Sequence, residues 1–365
     1  MLRGSFDPDE VSFLLTDLSG HRLELGLRER ERAIAAGQNY AEMLPIEFAP
    51  SAQYLALFDA LVDQHAAQVA EHLGVLTEMA LAARGGHPVL VSLARAGTPV
   101  GILMRRWALF SRKIELPHYS ISIVRGRGID TVALDYITRR HNPRDVLFVD
   151  GWTGKGAIAT ELTAALAAYA AVGGPRLADD LAVIADPGYC ARMFGTRRDI
   201  LVPSACLNST VCGLVSRTVL NSDLIGPWMF HGAKVYAELA DADRSAQFLD
   251  AVSGQFPRVA GAVARRWRAE YAADRSTNFA GRAVVCRVQA EFGLDSQHLI
   301  KPGVGEATRV LLRRLPWLVL ARPDCRDMLE HVLLLAKERD VEVVDYPDMP
   351  YSCIGLVRPR MAGEP

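Results

Sequence analysis

No two of the chain's six cysteines stand in a Cys-x-x-Cys pair; Cys190, Cys206, Cys212, Cys286, Cys325 and Cys353 are scattered. That spacing argues against a zinc site and against a disulfide framework, and it fits a reducing compartment. No stretch approaches the roughly 20 apolar residues that cross a bilayer. The opening Met1-Leu2-Arg3-Gly4-Ser5-Phe6-Asp7 turns polar at once, unlike a secretory leader. The expectation is a cytoplasmic protein with no membrane partner. A net charge of −1 leaves no general excess for binding polyanions. Internal repeats and low-complexity tracts are absent. So is a nucleoside-triphosphate P-loop: Gly151 stands only three positions before Gly154, and Gly156 occupies the place of the Mg²⁺-holding hydroxyl. A dinucleotide fingerprint fails on spacing as well.

What is there begins with size. At 365 residues, 50% hydrophobic and 23% charged, the chain suits two soluble domains with a real core. The first 85 residues read mainly as helices, with Ala33 to Ala36 before a Gly37 stop and a helix from Ser51 to Leu81. Strands follow at Val89–Leu93, Tyr119–Val124, Val146–Val149, Leu181–Ile184 and Asp199–Val202, alternating with helices from Val100 to about Leu109, to Arg140, and from Ala157. About five strands in this order specify a parallel sheet with right-handed crossovers. Asp241 to Tyr271 reads as helical and Ala272 to Asn278 as a linker. Beyond it lies a smaller α/β unit, in which a helix after Lys301 turns Val310, Leu311 and Leu315 to a core and Arg309, Arg313 and Arg314 elsewhere. Strands at Leu318–Leu320 and Val341–Val344 flank a helix from Met328 to Arg339.

The most informative stretch is Val146-Leu147-Phe148-Val149-Asp150-Gly151-Trp152-Thr153-Gly154-Lys155-Gly156-Ala157-Ile158. It reads as a buried strand, an acid, a glycine-rich turn and a helix start. Free amides at a helix N-terminus favour an anion, and Gly154 and Gly156 let the main chain come close to it. Just upstream, residues 105–145 hold nine Lys/Arg against four Asp/Glu, a local excess suited to a diphosphate. A second pattern is Cys206 in a loop with Ser204, Asn208, Ser209 and Thr210, with His231 as a candidate base and Asp223 or Asn221 to orient it. A cysteine nucleophile needs such partners, although packing is the commoner role for a cysteine after a buried strand.

These segments resemble a family. Val146 to Ile158 is similar to the phosphoribosyl pyrophosphate loop of type I phosphoribosyltransferases, Ala94-Arg95-Ala96-Gly97-Thr98-Pro99 to their pyrophosphate loop, and Arg125 to Asp130 to their arginine-bearing flexible loop. Pro203 to Thr210 with Gly213 to Thr218 further resembles the predicted phosphoribosyltransferase found beside bacterial tellurite-resistance and stress genes, a family also named cysteine protease StiP. Gly303-Val304-Gly305-Glu306-Ala307-Thr308-Arg309 is similar to the signature of the Pelota-like RNA-binding domain that ends its members.

The resemblance implies a phosphoribosyltransferase-like α/β domain over 1–275, with a helical N-terminal region over 1–85, and a small α/β Pelota-like domain over 279–365. It implies phosphoribosyl pyrophosphate as donor to an unknown acceptor, Mg²⁺ held mainly through substrate oxygens, and possible RNA contact through 279–365. The amides of Thr153, Gly154, Lys155 and Gly156 and the Thr153 hydroxyl would take the 5-phosphate, Asp150 the ribose hydroxyls, and Arg95, Ala96 and Gly97 the pyrophosphate. Arg125 and Arg127 would close over the site. In the peptidase alternative, Cys206 is the nucleophile and His231 the base; a third alternative is a nucleotide-sensing RNA-binding protein. Two departures stand out. Gly151 replaces the usual second acid, and Gly305 replaces the RNA-contacting asparagine in a domain with twelve basic and twelve acidic residues from 280 to 365.

Overall fold

In the computed structural model, which describes residues 2–47 and 49–358, six parallel strands form the central sheet. In chain order they are β1 (Ser12–Phe13), β2 (Val89–Leu93), β3 (His118–Ile121), β4 (Val146–Val149), β5 (Leu181–Ala185) and β6 (Met193–Thr196). Across the sheet they run β1-β3-β2-β4-β5-β6. β2, β4 and β5 are unbroken apolar or small runs buried at every position, as strands covered on both faces must be. β3 lies on one side of β2 and β4 on the other, so the chain reverses direction across the sheet between them. The loops leaving the carboxyl ends of β2 and β4 therefore diverge and leave a crevice, the usual ligand position in an open α/β sheet.

Seven helices among the described residues accompany this sheet: α1 (Leu27–Ala35), α2 (Ala52–Ala83), α3 (Gly97–Arg112), α4 (Thr131–Thr138), α5 (Ala157–Ala171), α6 (Ser245–Ser253) and α7 (Phe256–Ala272). Ser51 starts α2 by accepting the Tyr54 amide at 3.2 Å. One face of the sheet is covered by α2, α3, α6 and α7 through Phe58, Leu73, Leu76, Trp107, Phe248 and Val263. The other is covered by α4 and α5 through Ile137, Leu162 and Tyr169. Glu78, buried on α2, is satisfied by Trp107 Nε1 at 3.1 Å and Arg112 Nη2 at 2.6 Å, as a buried carboxylate requires.

The C-terminal unit contains α8 (Ala280–Glu291), β7 (Ile300–Pro302), α9 (Val304–Arg313), β8 (Pro316–Ala321), α10 (Glu330–Glu338), β9 (Glu342–Asp345) and β10 (Cys353–Val357). Its sheet runs β7-β10-β8-β9, with β8 and β9 parallel and the other pairs antiparallel. It docks on the main body through Asp199, whose carboxylate accepts the Val304 amide at 3.0 Å and the Ser352 amide at 2.7 Å. The irregular segment before α8 is tied down by Arg275, which donates to the carbonyls of Arg192, Glu270 and Phe194.

The sequence expectations need four corrections. Asp199–Val202 is not a strand: the sheet edge is β6, and Ile200, Leu201 and Val202 are apolar because they are buried where the two units meet. Residues 2–26 are strand and loop, not helix; Ser12–Phe13 pairs with Tyr119–Ser120 at the sheet edge in a strand too short to show a period. Leu315 lies past the end of α9 and is 74% exposed, while Val310 and Leu311 are buried as expected. Finally, Arg309 does not face solvent freely: it pairs with Glu306 at 2.7 Å and donates to Asn208 Oδ1 at 3.1 Å.

Candidate functional site at the sheet crevice

The crevice is built from two loops that come very close together. A side chain at Gly97 would collide with the Val149 carbonyl oxygen and lie 3.1 Å from the Asp150 Cα, so only glycine lets the start of α3 pass beside the end of β4. Two helix N-termini, those of α3 and α5, thus flank Asp150. The preceding Ala94–Arg95 peptide is cis.

Asp150 sits at the tip of β4, where its carboxylate accepts the Gly151 amide at 2.8 Å. Loss of hydration pushes its pKa up to about 7, and the one backbone hydrogen bond offsets only part of that. Next in the loop, Gly156 adopts the left-handed conformation at φ 80° as N-cap of α5. The amides of Gly154, Lys155 and Gly156 have no protein partner among the described residues. They are the donors the sequence anticipated.

Thr153 departs from that expectation. Strand pairing continues beyond β4, with Asp150 N bonded to Ala182 O, Ile184 N to Gly151 O and Thr153 N to Ala185 O at 3.0 Å. The Thr153 hydroxyl donates to Asp186. Both Thr153 donors are therefore used by the fold and are withdrawn from any phosphate.

Asp186 is the residue that sequence reasoning missed. Fully buried at the end of β5, it accepts from Thr153 Oγ1, from the Cys190 amide at 2.9 Å and the Ala191 amide at 3.0 Å, and from Arg197. It holds the glycine loop in place from the neighbouring strand. The available signal was an acid directly after the buried run Leu181–Ala185, the same arrangement that singled out Asp150.

The other candidates are placed as follows. Arg95 donates to Val215 O at 3.1 Å and lies 3.6 Å from Glu47, so its charge is already partnered. Ala96 and Gly97 present their amides at the start of α3, and neither amide has a partner among the described residues. Arg125 and Arg127 are exposed on a tight hairpin, Ile123–Val124 against Gly128–Ile129. Glu161 of α5 grips that hairpin by accepting the Gly126 amide at 2.7 Å and the Gly128 amide at 3.0 Å. The hairpin is anchored to the helix that follows the glycine loop. Lys155 donates to the Gln297 carbonyl at 2.6 Å.

Cys206 and His231 stand in different surroundings. Cys206 is fully buried after a turn at Pro203–Ala205, and Tyr54 donates to its carbonyl. The His231 ring bonds Ser122 Oγ at 2.9 Å, and its amide donates to Asp130, which also caps α4. Burial pushes the pKa of His231 down, against the opposing charge of Asp130. Asn221 and Asp223 form a turn of their own, with Asn221 Oδ1 accepting the Asp223 amide at 2.9 Å. Burial drives the Cys190 and Cys212 thiols up to about 12 and raises Cys353, the opposite of the shift that activates a thiol.

Two surface clefts open elsewhere. One of about 1110 Å³ is lined by Asp7, Glu10, Arg105, Arg106, Glu115 and Asp250, and one of about 230 Å³ by Tyr189, Arg198, Asp199, Arg322 and Ser352. The glycine loop is instead covered by the C-terminal unit: Tyr351 OH donates to Gly154 O at 3.1 Å, and a side chain at Gly154 would begin 3.5 Å from the Pro302 ring. No helix among the described residues is long and apolar enough to cross a membrane.

Comparison with known proteins matches this architecture. Residues 279–359 match the Pelota RNA-binding domain, so the four-stranded C-terminal unit is Pelota-like. Across 97% of its length the chain is 34% identical to a protein of Acinetobacter baylyi named cysteine protease StiP, covering 94% of that relative. Residues 4–253 match the family described as tellurite-like stress resistance cysteine protease StiP, and the chain belongs to that family.

Proposed function

We propose that the chain binds a phosphorylated ribose at the crevice between β2 and β4 and transfers the phosphoribosyl group from phosphoribosyl pyrophosphate to an acceptor, releasing pyrophosphate, in a stress response. The observation that carries this reading is the run of three unpartnered amides, Gly154 to Gly156, beside a half-buried acid at the sheet's reversal point. Those amides take the 5-phosphate, Asp150 takes the ribose hydroxyls, and the Ala96 and Gly97 amides face the departing pyrophosphate. Arg125 and Arg127 supply positive charge from the anchored hairpin. A hydrated Mg²⁺ would arrive on the donor's own oxygens. When bound, it would neutralise charge on the diphosphate. The protein's own contribution is positioning and charge stabilisation. The division into a transferase-like part over 1–275 and an RNA-contacting part over 279–365 belongs to the same proposal, as does a cytoplasmic location.

Calorimetric titration with phosphoribosyl pyrophosphate and Mg²⁺, together with assay of pyrophosphate release, tests it. Wild type binds, and Asp150→Asn binds at least about tenfold more weakly, the loss of one charge-assisted contact. Equal binding by both removes Asp150 from the site.

The name of the Acinetobacter relative favours a second reading, a cysteine peptidase, for which Cys206 is the nucleophile candidate from the sequence. In that case His231, held through Nδ1 by Ser122, must serve Cys206 from Nε2, or another group must act as base. Selective alkylation of Cys206 by iodoacetamide, with peptide hydrolysis lost in Cys206→Ala, would establish it over the transferase. The match to the Pelota domain supports a third element, RNA binding by the C-terminal unit. Gly305 of its signature packs against Ala205, where a side chain would meet the Ala205 methyl at 2.7 Å. RNA contact at that segment requires the units to separate.

A further inference from the structure

Four cations from four different elements gather where the Pelota-like unit crosses the glycine loop. Lys155 belongs to the loop itself. Gln297, whose carbonyl receives the Lys155 ammonium, begins the short path through His298 to Lys301 on β7. Pro302, the next residue, lies against Gly154. Arg125 comes from the hairpin that Glu161 anchors to α5, and Arg314 from the end of α9.

After burial, the charges of Lys301 and Arg125 are the main causes that bring Lys155 down to about 8. Lys301 in turn is lowered by burial and by Arg314, Arg309 and Arg125, with Glu306 opposing. Glu306 supplies opposing negative charge, and Arg309 already pairs with it. The half-buried Lys301 ammonium makes no hydrogen bond or ion pair among the described residues. Lys155 keeps two donors after bonding Gln297.

Like charges held together and partly removed from water, as the half-buried Lys155 and Lys301 are, cost free energy unless an anion joins them. A phosphate monoester brings nearly two negative charges and three acceptor oxygens, enough to engage loop amides and ammonium groups at once. We infer that the glycine loop and β7 clamp one phosphate monoester between the two units, with Lys301 of the Pelota-like unit as a phosphate ligand beside Lys155 and Arg125. The inference rests on the reading of the loop as a phosphate cradle, and it is independent of the transfer chemistry. The ligand class is a sugar or nucleoside 5-phosphate with its terminal phosphate in the loop. Occupancy then couples to docking, because the phosphate bridges groups that otherwise repel.

The test uses the full chain titrated calorimetrically with inorganic phosphate and with ribose 5-phosphate. Wild type binds both. Lys301→Met binds each at least about tenfold more weakly, and Lys301→Arg restores most of the affinity. Phosphate slows hydrogen exchange across residues 297–302 in wild type and not in Lys301→Met, and an unaltered circular dichroism spectrum of that variant verifies its fold. Equal phosphate affinity in wild type and Lys301→Met overturns the clamp and leaves the loop as a cradle by itself. No binding of either probe to wild type overturns both.

Discussion

The loop after β4 and the loop around Cys206 carry equally suggestive residue types, yet the fold treats them differently. In the first, Gly154, Lys155 and Gly156 keep their amides unpartnered and a half-buried acid stands beside them. In the second, Pro203 to Ala205 form a buried turn, Arg309 binds Asn208, the Ser209 amide donates to Glu47, and the segment is packed beneath α2 and α9, with the Ser204 and Ser209 hydroxyls buried and unpartnered among the described residues. A polar site needs groups that the fold leaves unsatisfied, and these are main-chain amides in the first loop and hydroxyls in the second. Residue types alone do not reveal which groups stay open.

The comparison can be broken most forcefully at Gly97. Gly97→Val drives a side chain into the Val149 carbonyl and costs roughly 3 kcal/mol, read as a lower urea midpoint, with phosphoribosyl pyrophosphate binding lost. Tolerance of valine there would mean that the two crevice loops are not in contact. Asp199→Ala comes next. It strands the Val304 and Ser352 amides at the interface, costs roughly 2–3 kcal/mol, and exposes the segment 273–279 to proteolysis; unchanged protection would show that other contacts dock the Pelota-like unit.

Asp150→Asn sharpens the comparison through pH. The folded carboxyl releases its proton near pH 7, against about 4 in an unfolded chain. Between those values the folded state holds the extra proton, so wild-type stability falls as pH rises from 4 to 7 and then levels. The asparagine variant escapes this loss. It melts about 2 °C above wild type at pH 8 and level with it below pH 4; a difference independent of pH would place the Asp150 carboxyl in water. The smallest effect is expected at Cys206. Cys206→Ala costs about 1 kcal/mol as a packing change and leaves phosphoribosyl pyrophosphate binding intact, whereas loss of a peptidase activity in that variant would reverse the ranking of the two loops.

Much of this was written locally. The apolar runs at 89–93, 146–149 and 181–184, the Ser51 cap and the glycine turn before Ala157 depend on neighbours within a few positions, and each forms where the pattern puts it. Asp199–Val202 shows the limit. Four residues ending in an apolar run look alike whether they pair in a sheet or lie buried under a docked unit.

The sequence by itself determined the alternation of strands and helices, and with it the place where an acid and a glycine loop meet a helix start, because helix and strand signals are short-range. Only the tertiary structure decided which donors remain open. Thr153 is used by a strand paired from residues 181–186, the glycine loop is covered from residues 297–302 and 351, and the Lys155 ammonium bonds the Gln297 carbonyl across 142 positions. Hydrogen-bond occupancy is set by whichever groups the folded chain brings within 3 Å, and no local period encodes that.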